Sequence, residues 1–168
     1  MEPTGVTSLE PLEFRKVVGH FATGVTVVTA EHAGEQFGAT ISAVSSLSAE
    51  PPMVLVCLNQ RLGTHAAIQR SGRFTINILG EGQGELALTF ATPGADKFDR
   101  TSWVGTGHGA RLDDAIAHLA CRVVDSVEGG THRIFVGEVV EATTGAGHGP
   151  LSYFRGQFGS FVPHEQAS

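Results

Sequence analysis

Nowhere does this 168-residue sequence run to the ~18 uncharged apolar residues that a membrane-crossing helix needs, so no membrane span is expected. It has no run of lysine or arginine, and its 11 basic residues are outnumbered by 17 acidic ones, for a net charge of −6. The electrostatic footprint of a nucleic-acid binder is therefore missing. Cysteine is scarce: Cys57 and Cys121 each sit inside an apolar run, which reads as two small buried hydrophobes rather than a disulfide staple. The eight histidines are scattered, with no HExxH or CxxC spacing, so no metal is expected. No GxSxG elbow marks a nucleophile. The opening MEPTGVTSLE is acidic and lacks an apolar core, unlike a signal peptide, and the expected compartment is the cytoplasm.

What is present is a core and many turns. The composition is 41% hydrophobic and 17% charged, the balance of a globular domain. Glycine stands at 22 of 168 residues, about 13% against an ordinary ~7%. One domain is expected over residues 11–162, with tails at 1–10 and 163–168. Pro11 opens a helix, on which Phe14, Val17, Val18 and Phe21 recur at the spacing of one buried face. Val25 to Ala30 and Gln36 to Val44 read as strands around a turn at His32 to Glu35, followed by a central strand at Met53 to Leu58. Thr64 reads as the N-cap of a helix that Gly72 ends. Arg73 to Leu79 is a strand, Glu85 to Phe90 a short helix, and residues 92–110 a loop region. Leu119 to Val127 and Thr131 to Thr143 form a hairpin about Glu128-Gly129-Gly130, and Leu151 to Phe154 is a last strand. Six or seven strands joined by hairpins, with few helices, predict a mainly β fold: an antiparallel barrel with peripheral helices.

Several stretches invite a chemical reading. Gly80, Gly82 and Gly84 stand between a strand and a helix, but Glu85 fills the third fingerprint position and Glu81 would oppose a pyrophosphate. No dinucleotide-binding βαβ unit follows, and an ordinary loop is the better reading. Asp113-Asp114 precedes a helix-like AIAHL, where acidic residues need no catalytic explanation. The segment Gly38 to Pro52 (GATISAVSSLSAEPP) is small and hydroxylated, with one charge. It leaves backbone N–H groups and hydroxyls open to a flat, acceptor-rich ligand. Asn59 to Thr64 puts Arg61 and Gly63 before a helix start, which suits a phosphate as well as simple capping. Lys97 is a second cation, and His132 stands at the mouth of a strand. Tyr153 and Phe154 suit a pocket wall, a core or an interface.

Taken in order, FRKVVGHFATGVTVVTA, GATISAVSSLSAEPPMVLVCLN, SGRFTINIL, FA with DKF, THRIFVGEVVEA and PLSYFRGQFG resemble the flavin reductase family. These are small NAD(P)H:flavin oxidoreductases that supply reduced flavin to separate flavin-dependent monooxygenases. The likeness spans roughly residues 14–161. It implies a split β-barrel of Greek-key, FMN-binding type, a homodimer contributing to the flavin site, and FMN or FAD as cofactor with NADH or NADPH as hydride donor. It further implies that Thr40, Ile41, Ser42, Ala43, Val44, Ser45 and Ser46 line the isoalloxazine and ribityl chain, with Cys57, Leu58 and Asn59 continuing the wall. Gln60, Arg61 and Thr64 would carry the phosphate end, and Phe90, Ala91 and Lys97 would add contacts. His132 would lie by the nicotinamide, with Tyr153 and Phe154 nearby. Two other readings share this architecture: an FMN-dependent oxidase of the pyridoxamine-phosphate-oxidase type, and a flavin- or haem-binding barrel without turnover. The acidic composition gives the first little support.

Overall fold

β-branched runs and tight glycine turns build most of the chain into antiparallel ladders. The computed structural model describes residues 9–94, 96–145 and 149–164. The expected tails at 1–10 and 163–168 fall largely outside them. Helix α1 (Pro11–Val18) leads to a two-residue strand, β1 (Thr23–Gly24). Strands β2 (Thr26–His32) and β3 (Glu35–Ile41) form a hairpin whose turn residues, Ala33 and Gly34, both take positive φ, 53° and 79°. Strand β4 (Val44–Ala49) turns back into β5 (Pro52–Asn59). Helix α2 (Gly63–Ser71) stops at Gly72, whose left-handed backbone (φ 68°) returns its N–H to the Ile68 carbonyl at 2.8 Å.

Strand β6 (Arg73–Ile78) and helix α3 (Gly84–Ala91) come next. A small ladder follows, β7 (Trp103–Gly105) with β8 (Ala110–Leu112), then the long hairpin β9 (Ala117–Gly129) and β10 (His132–Thr144). The chain closes on β11 (Leu151–Phe154) and β12 (Gln157–Ser160). Seven strands make one antiparallel sheet in the order β3-β2-β6-β9-β10-β5-β4, and β1, β11 and β12 make a second. The sheet's two edge strands, β3 and β4, are consecutive in the chain, separated only by Ser42 and Ala43, and no ladder joins them. A curled sheet with such an open seam is a split antiparallel barrel.

The barrel interior explains the apolar alternation along its strands. Val28, Ala39, Val56, Phe74, Cys121 and Phe135 come from six different strands into one buried cluster. Ala67 and Ile68 of α2 close it. A second buried cluster gathers Val25, Val27, Leu79, Ala87, Phe90 and Leu112 on the other side of β2, under α3. Between them Asn77 is fully buried and satisfied, donating to the Val27 carbonyl at 3.0 Å and accepting from the Leu112 N–H at 2.8 Å.

Five expectations change. The expected loop at 92–110 holds strand β7, which pairs with β8 from Gly105 opposite Ala110 to Trp103 opposite Leu112. The first helix stops at Val18 and buries none of its residues within the chain, leaving Phe14, Val17 and Phe21 exposed. The expected strand Gln36 to Val44 breaks at Ser42, and its second part pairs with β5 as a strand of its own. Thr64 is not an N-cap: the helix begins at Gly63 with Leu62 at the cap position and no side-chain cap. No helix follows Asp113-Asp114. Ala115 continues a turn and Ala117 already belongs to β9, since residues 117–121 pair with β6.

Candidate functional site

Because β3 is an edge strand, one side of its backbone is unpaired. A two-residue hairpin makes its closing pair, His32 and Glu35, a hydrogen-bonded one, so residues 35, 37, 39 and 41 face β2. Gln36, Gly38 and Thr40 then direct their backbone N–H and C=O groups away from the sheet. The Gly38 carbonyl does so, accepting from Lys97 Nζ at 3.3 Å. This edge borders a cavity of about 850 Å³ that runs along β3 from Gly34 to Thr40.

Helices flank the edge on both faces. On one, the start of α2 brings Arg61, Leu62, Gly63 and Thr64 to the cavity, with a Cβ at Gly63 standing 3.2 Å from the Phe37 ring. On the other, α3 is tied down by the Thr40 hydroxyl, which donates to the Ala87 carbonyl at 2.6 Å. Gly38 has no alternative there: a Cβ would lie 2.6 Å from Phe90 Cε1 and 3.1 Å from Phe98 Cζ. Phe90, Phe98 and Trp103 continue as an edge-to-face series, with ring centroids 5.2 and 5.7 Å apart, and all three line the cavity.

The chemistry of the α2 end suits an anion. The N–H groups of Gly63, Thr64 and His65 find no acceptor among the described residues, and a helix start concentrates positive potential there. Thr64 is 97% buried, at 3% exposure, lines the cavity, and has no side-chain hydrogen bond among the described residues. Arg61 stands exposed at the mouth without an ion pair among those residues. Asn59 shapes the approach, its Oδ1 accepting from the Arg61 N–H at 3.0 Å and its carbonyl from the Leu62 N–H at 3.1 Å. Lys97 supplies the other cation, held by the Gly38 and Phe90 carbonyls (3.3 and 3.2 Å). Its burial lowers its pKa from the ordinary value.

His65 lies behind this seat. Its ring packs on Phe135 with centroids 5.4 Å apart, and its buried Nε2 has no partner among the described residues. Burial first, and then the Arg133 guanidinium, push its pKa below the ordinary 6.5. The folded chain thus keeps the ring neutral where the unfolded chain would protonate it, so stability falls as pH drops below 6.5 toward the folded-state pKa. Urea midpoints measured from pH 7.5 to pH 5 should decline. His65→Gln should flatten that decline, and an identical slope in the variant would remove His65 as its source.

Of the residues singled out in the sequence, Thr40, Arg61, Thr64, Phe90, Ala91 and Lys97 line one cavity. Ser42, Ala43, Ser45 and Ser46 are exposed at the seam and along β4, with Val44 half-buried. Ile41 and Leu58 send their side chains into the core, at 8% and 0% exposure, so only their backbone is available to a ligand. Cys57 and Asn59 are half-buried, and Gln60 is exposed. His132 is exposed and pairs directly with Asn59 across β5 and β10, which sets it next to the α2 approach. Tyr153 and Phe154 do not line the cavity. They lie on the second sheet, where Phe154 packs edge-on against His20 beyond α1. Phe37, Phe98 and Trp103 also line the cavity, and no local sequence signal marks them as walls, whereas Gly38 opens the segment singled out above. For the β3 edge, the length of the β2–β3 turn was the available signal, since it fixes which residues of β3 point outward.

Among known proteins, the family model described as a flavin reductase like domain matches residues 18–161. The reductase component of a 4-nitrophenol 4-monooxygenase/4-nitrocatechol 2-monooxygenase from Rhodococcus opacus is 64% identical to this chain, over 99% of it and 91% of the relative. The NADH-dependent FAD reductase of Streptomyces globisporus is 38% identical over 90% of this chain and 86% of its own. Among solved structures, the Streptomyces globisporus NADH:FAD oxidoreductase in complex with NAD and FAD fragments superimposes with a TM-score of 0.86 at 36% identity, over 92% of this chain and 94% of that one.

Proposed function

The chain belongs to the flavin reductase family, and from this we infer that it is an NAD(P)H:flavin oxidoreductase. It passes a hydride from the nicotinamide to FMN or FAD and supplies the reduced flavin to a separate monooxygenase. The observation that carries the reading is the cavity itself, which joins an unpaired strand edge to an anion seat. The edge offers alternating donors and acceptors to the rim of a flat heterocycle, and the unbonded Thr64 hydroxyl with three free N–H groups fits a phosphate. Those residues fit a flavin nucleotide.

When bound, the flavin supplies the hydride-accepting chemistry. The chain's part is to bind, orient and shield. Arg61, Thr64 and the α2 N–H groups hold the phosphate end, and Gln60 and Asn59 shape their loop. Thr40 and the backbone at Ile41 to Ser46 border the ring, with Cys57 and Leu58 behind them. Phe90 and Ala91 would exclude water from one face of the ring, and Lys97 would offer a positive charge to it. His132, at the mouth beside Asn59, orients the nicotinamide. A site made of hydroxyls and backbone groups, without a covalent anchor, suits a flavin that must leave. Under anaerobic conditions, protein mixed with excess NADH and a large molar excess of flavin should bleach all of the flavin. Bleaching limited to one equivalent per chain, or none with either nicotinamide, would contradict the reading.

The cytoplasm, where NAD(P)H is at hand, is the compartment this function calls for. A homodimer accounts for the apolar surface that the single chain leaves open. Leu12, Phe14, Val17 and Phe21 from the α1 region, with Phe158, Phe161 and Val162 from the C-terminal strand, are all exposed, Phe21 by 74% and Val162 by 81%. Monomers rarely leave that much apolar surface together. Phe154 and Tyr153 lie on the same second sheet and would reach a flavin site only across such an interface. The double substitution Phe14→Asp and Phe21→Asp should shift the sedimenting species from dimer to monomer and reduce turnover. A wild-type monomer, or a variant that stays dimeric, would refute this arrangement.

A further inference from the structure

His132 opens β10 directly after a two-residue turn, Gly130-Thr131, which the facing pair Gly129 and His132 closes. Gly130 takes φ 61° while Thr131 keeps a negative φ, the φ pattern of a type II′ hairpin turn. A turn of this kind is ordinarily a poor mount for a functional side chain, since strands and helices fix geometry better than loops do. Here it is tied down from the neighbouring loop. The Gln60 N–H donates to the Thr131 carbonyl at 3.1 Å. Gln60 Nε2 lies 3.4 Å from the Gly130 carbonyl and 3.3 Å from that of His132, and donates to both. The loop that leads into the anion seat therefore also fixes the tip of the β9–β10 hairpin.

The Thr131 side chain acts from that fixed backbone. Its hydroxyl stands 2.9 Å from His132 Nδ1, and neither atom has another hydrogen bond among the described residues. His132 directly opposes Asn59, and Ile134 opposes Cys57. Side chains alternate along a strand, so the His132 ring stands on the sheet face of Asn59 and Cys57, away from the core face of Leu58 and Phe135. Both ring and hydroxyl are on exposed residues at the mouth of the site.

A neutral imidazole has two tautomers, and the bond made at one ring nitrogen decides what the other offers. A threonine hydroxyl turns freely to suit its partner. Donating to Nδ1, it leaves the ring proton on Nε2, and a single N–H then points away from the turn. The carboxamide oxygen of a nicotinamide is an acceptor for that N–H. Without the hydroxyl, the ring turns about its side-chain bonds and exchanges tautomers, and a lone pair meets the same oxygen in part of the population.

We propose that Thr131 is a positioning residue for the hydride donor: its hydroxyl, on a turn pinned by Gln60, holds the His132 ring as the Nε2–H tautomer and aims that N–H at the nicotinamide carboxamide. This rests on the flavin reductase reading, which sets His132 beside the nicotinamide, and it adds the residue that orients His132. The bond is made alike before and during hydride transfer, so its loss appears in KM for NADH rather than in kcat.

Thr131→Val keeps the side-chain shape and removes the hydroxyl, and Thr131→Ser restores the hydroxyl. With FMN as acceptor, KM for NADH should rise about fivefold in Thr131→Val, the worth of one neutral hydrogen bond. The kcat and the flavin affinity should be kept, and Thr131→Ser should recover the wild-type KM. In a His132→Ala background the valine change should add nothing. Nitrogen NMR of the flavin-free, histidine-labelled protein in alkaline buffer gives a readout apart from turnover. The His132 signals, identified among eight histidines by their loss in His132→Ala, should show a protonated Nε2 and a bare Nδ1, and Thr131→Val should mix the tautomers. An unchanged KM in Thr131→Val would overturn the proposal, as would an equal rise in the His132→Ala background, or a tautomer ratio that ignores the hydroxyl. Failure of the underlying reading would take the proposal with it but would look different. No flavin would then support NADH oxidation in the wild type, or His132→Ala would leave KM for NADH unchanged, while the nitrogen spectra still followed Thr131.

Discussion

Replacing Arg61 and Thr64 together by alanine should raise the dissociation constant for FMN about 100-fold and leave that for riboflavin nearly unchanged. Both hydrogen bonds go to an ionised acceptor and contribute about 1.5–3 kcal/mol each, the lower figure applying at an open site. Their sum is about two decades in affinity at ~1.4 kcal/mol per decade. Arg61 is exposed and free of ion pairs among the described residues, so its removal should cost the fold little. Thr64 is buried, but its hydroxyl has no partner to lose among the described residues. Riboflavin is the informative control, because it offers the ring and ribityl chain without the phosphate. Equal weakening of FMN and riboflavin would mean a general disturbance of the cavity, and an unchanged FMN affinity would move the phosphate elsewhere.

Gly38→Val should be the most damaging single change in the cavity, acting on fold and site together. Its Cβ would fall 2.6–2.7 Å from the Phe90 ring, and Phe90 is 1% exposed and packed into the second core cluster. Overpacking of this kind costs about 1–3 kcal/mol, which for a chain of this size lowers Tm by roughly 2–4 °C per kcal/mol. The same displacement would push the Phe90 carbonyl and the Gly38 edge apart, and with them the two acceptors that hold Lys97. Flavin affinity should fall more than tenfold. Gly24→Ala is the matched control, since a Cβ at Gly24 meets nothing within 4 Å. If Gly38→Val melts with the wild type and binds flavin normally, β3 and α3 are not packed as described.

Much of the fold could be read from local chemistry. The VTVVTA and MVLVCL runs became barrel strands, the glycine turn at 129–130 became a long hairpin, and Gly72 ended α2 where an αL residue was needed. The misreadings share a cause. Spacing at Phe14, Val17 and Phe21 marks an apolar helix face, but periodicity does not say which surface covers it, and within one chain none does. The break at Ser42-Ala43 was hidden because β3 and β4 run on without a turn signal. Only the pairing partners, β2 on one side and β5 on the other, separate them.

The site was legible in part for the same reason. Arg61 and Thr64 announce themselves by residue type at a helix start, and Lys97 as a cation in a loop that also carries Arg100. Phe37, Phe98 and Trp103 look like any core aromatics until β3 is known to be an edge strand, since burial and exposure of an aromatic ring depend on partners remote in sequence. Thr40 is half legible: its hydroxyl is spent on the Ala87 carbonyl, so its contribution to a ligand comes from the backbone. The row of serines on β4, which first suggested a ligand surface, lies on the exposed strand at the other side of the seam.

The central claim is that the flavin's phosphate sits at the start of α2, with the ring along the β3 edge. A crystal structure of the protein soaked with FMN tests it directly. A phosphate oxygen should lie within hydrogen-bond distance of Thr64 Oγ1 and of the Gly63–His65 N–H groups, with the ring bordering Thr40 and the seam. A phosphate bound at the Gly80–Gly84 loop, or a flavin lying on β4 away from Thr64, would contradict it.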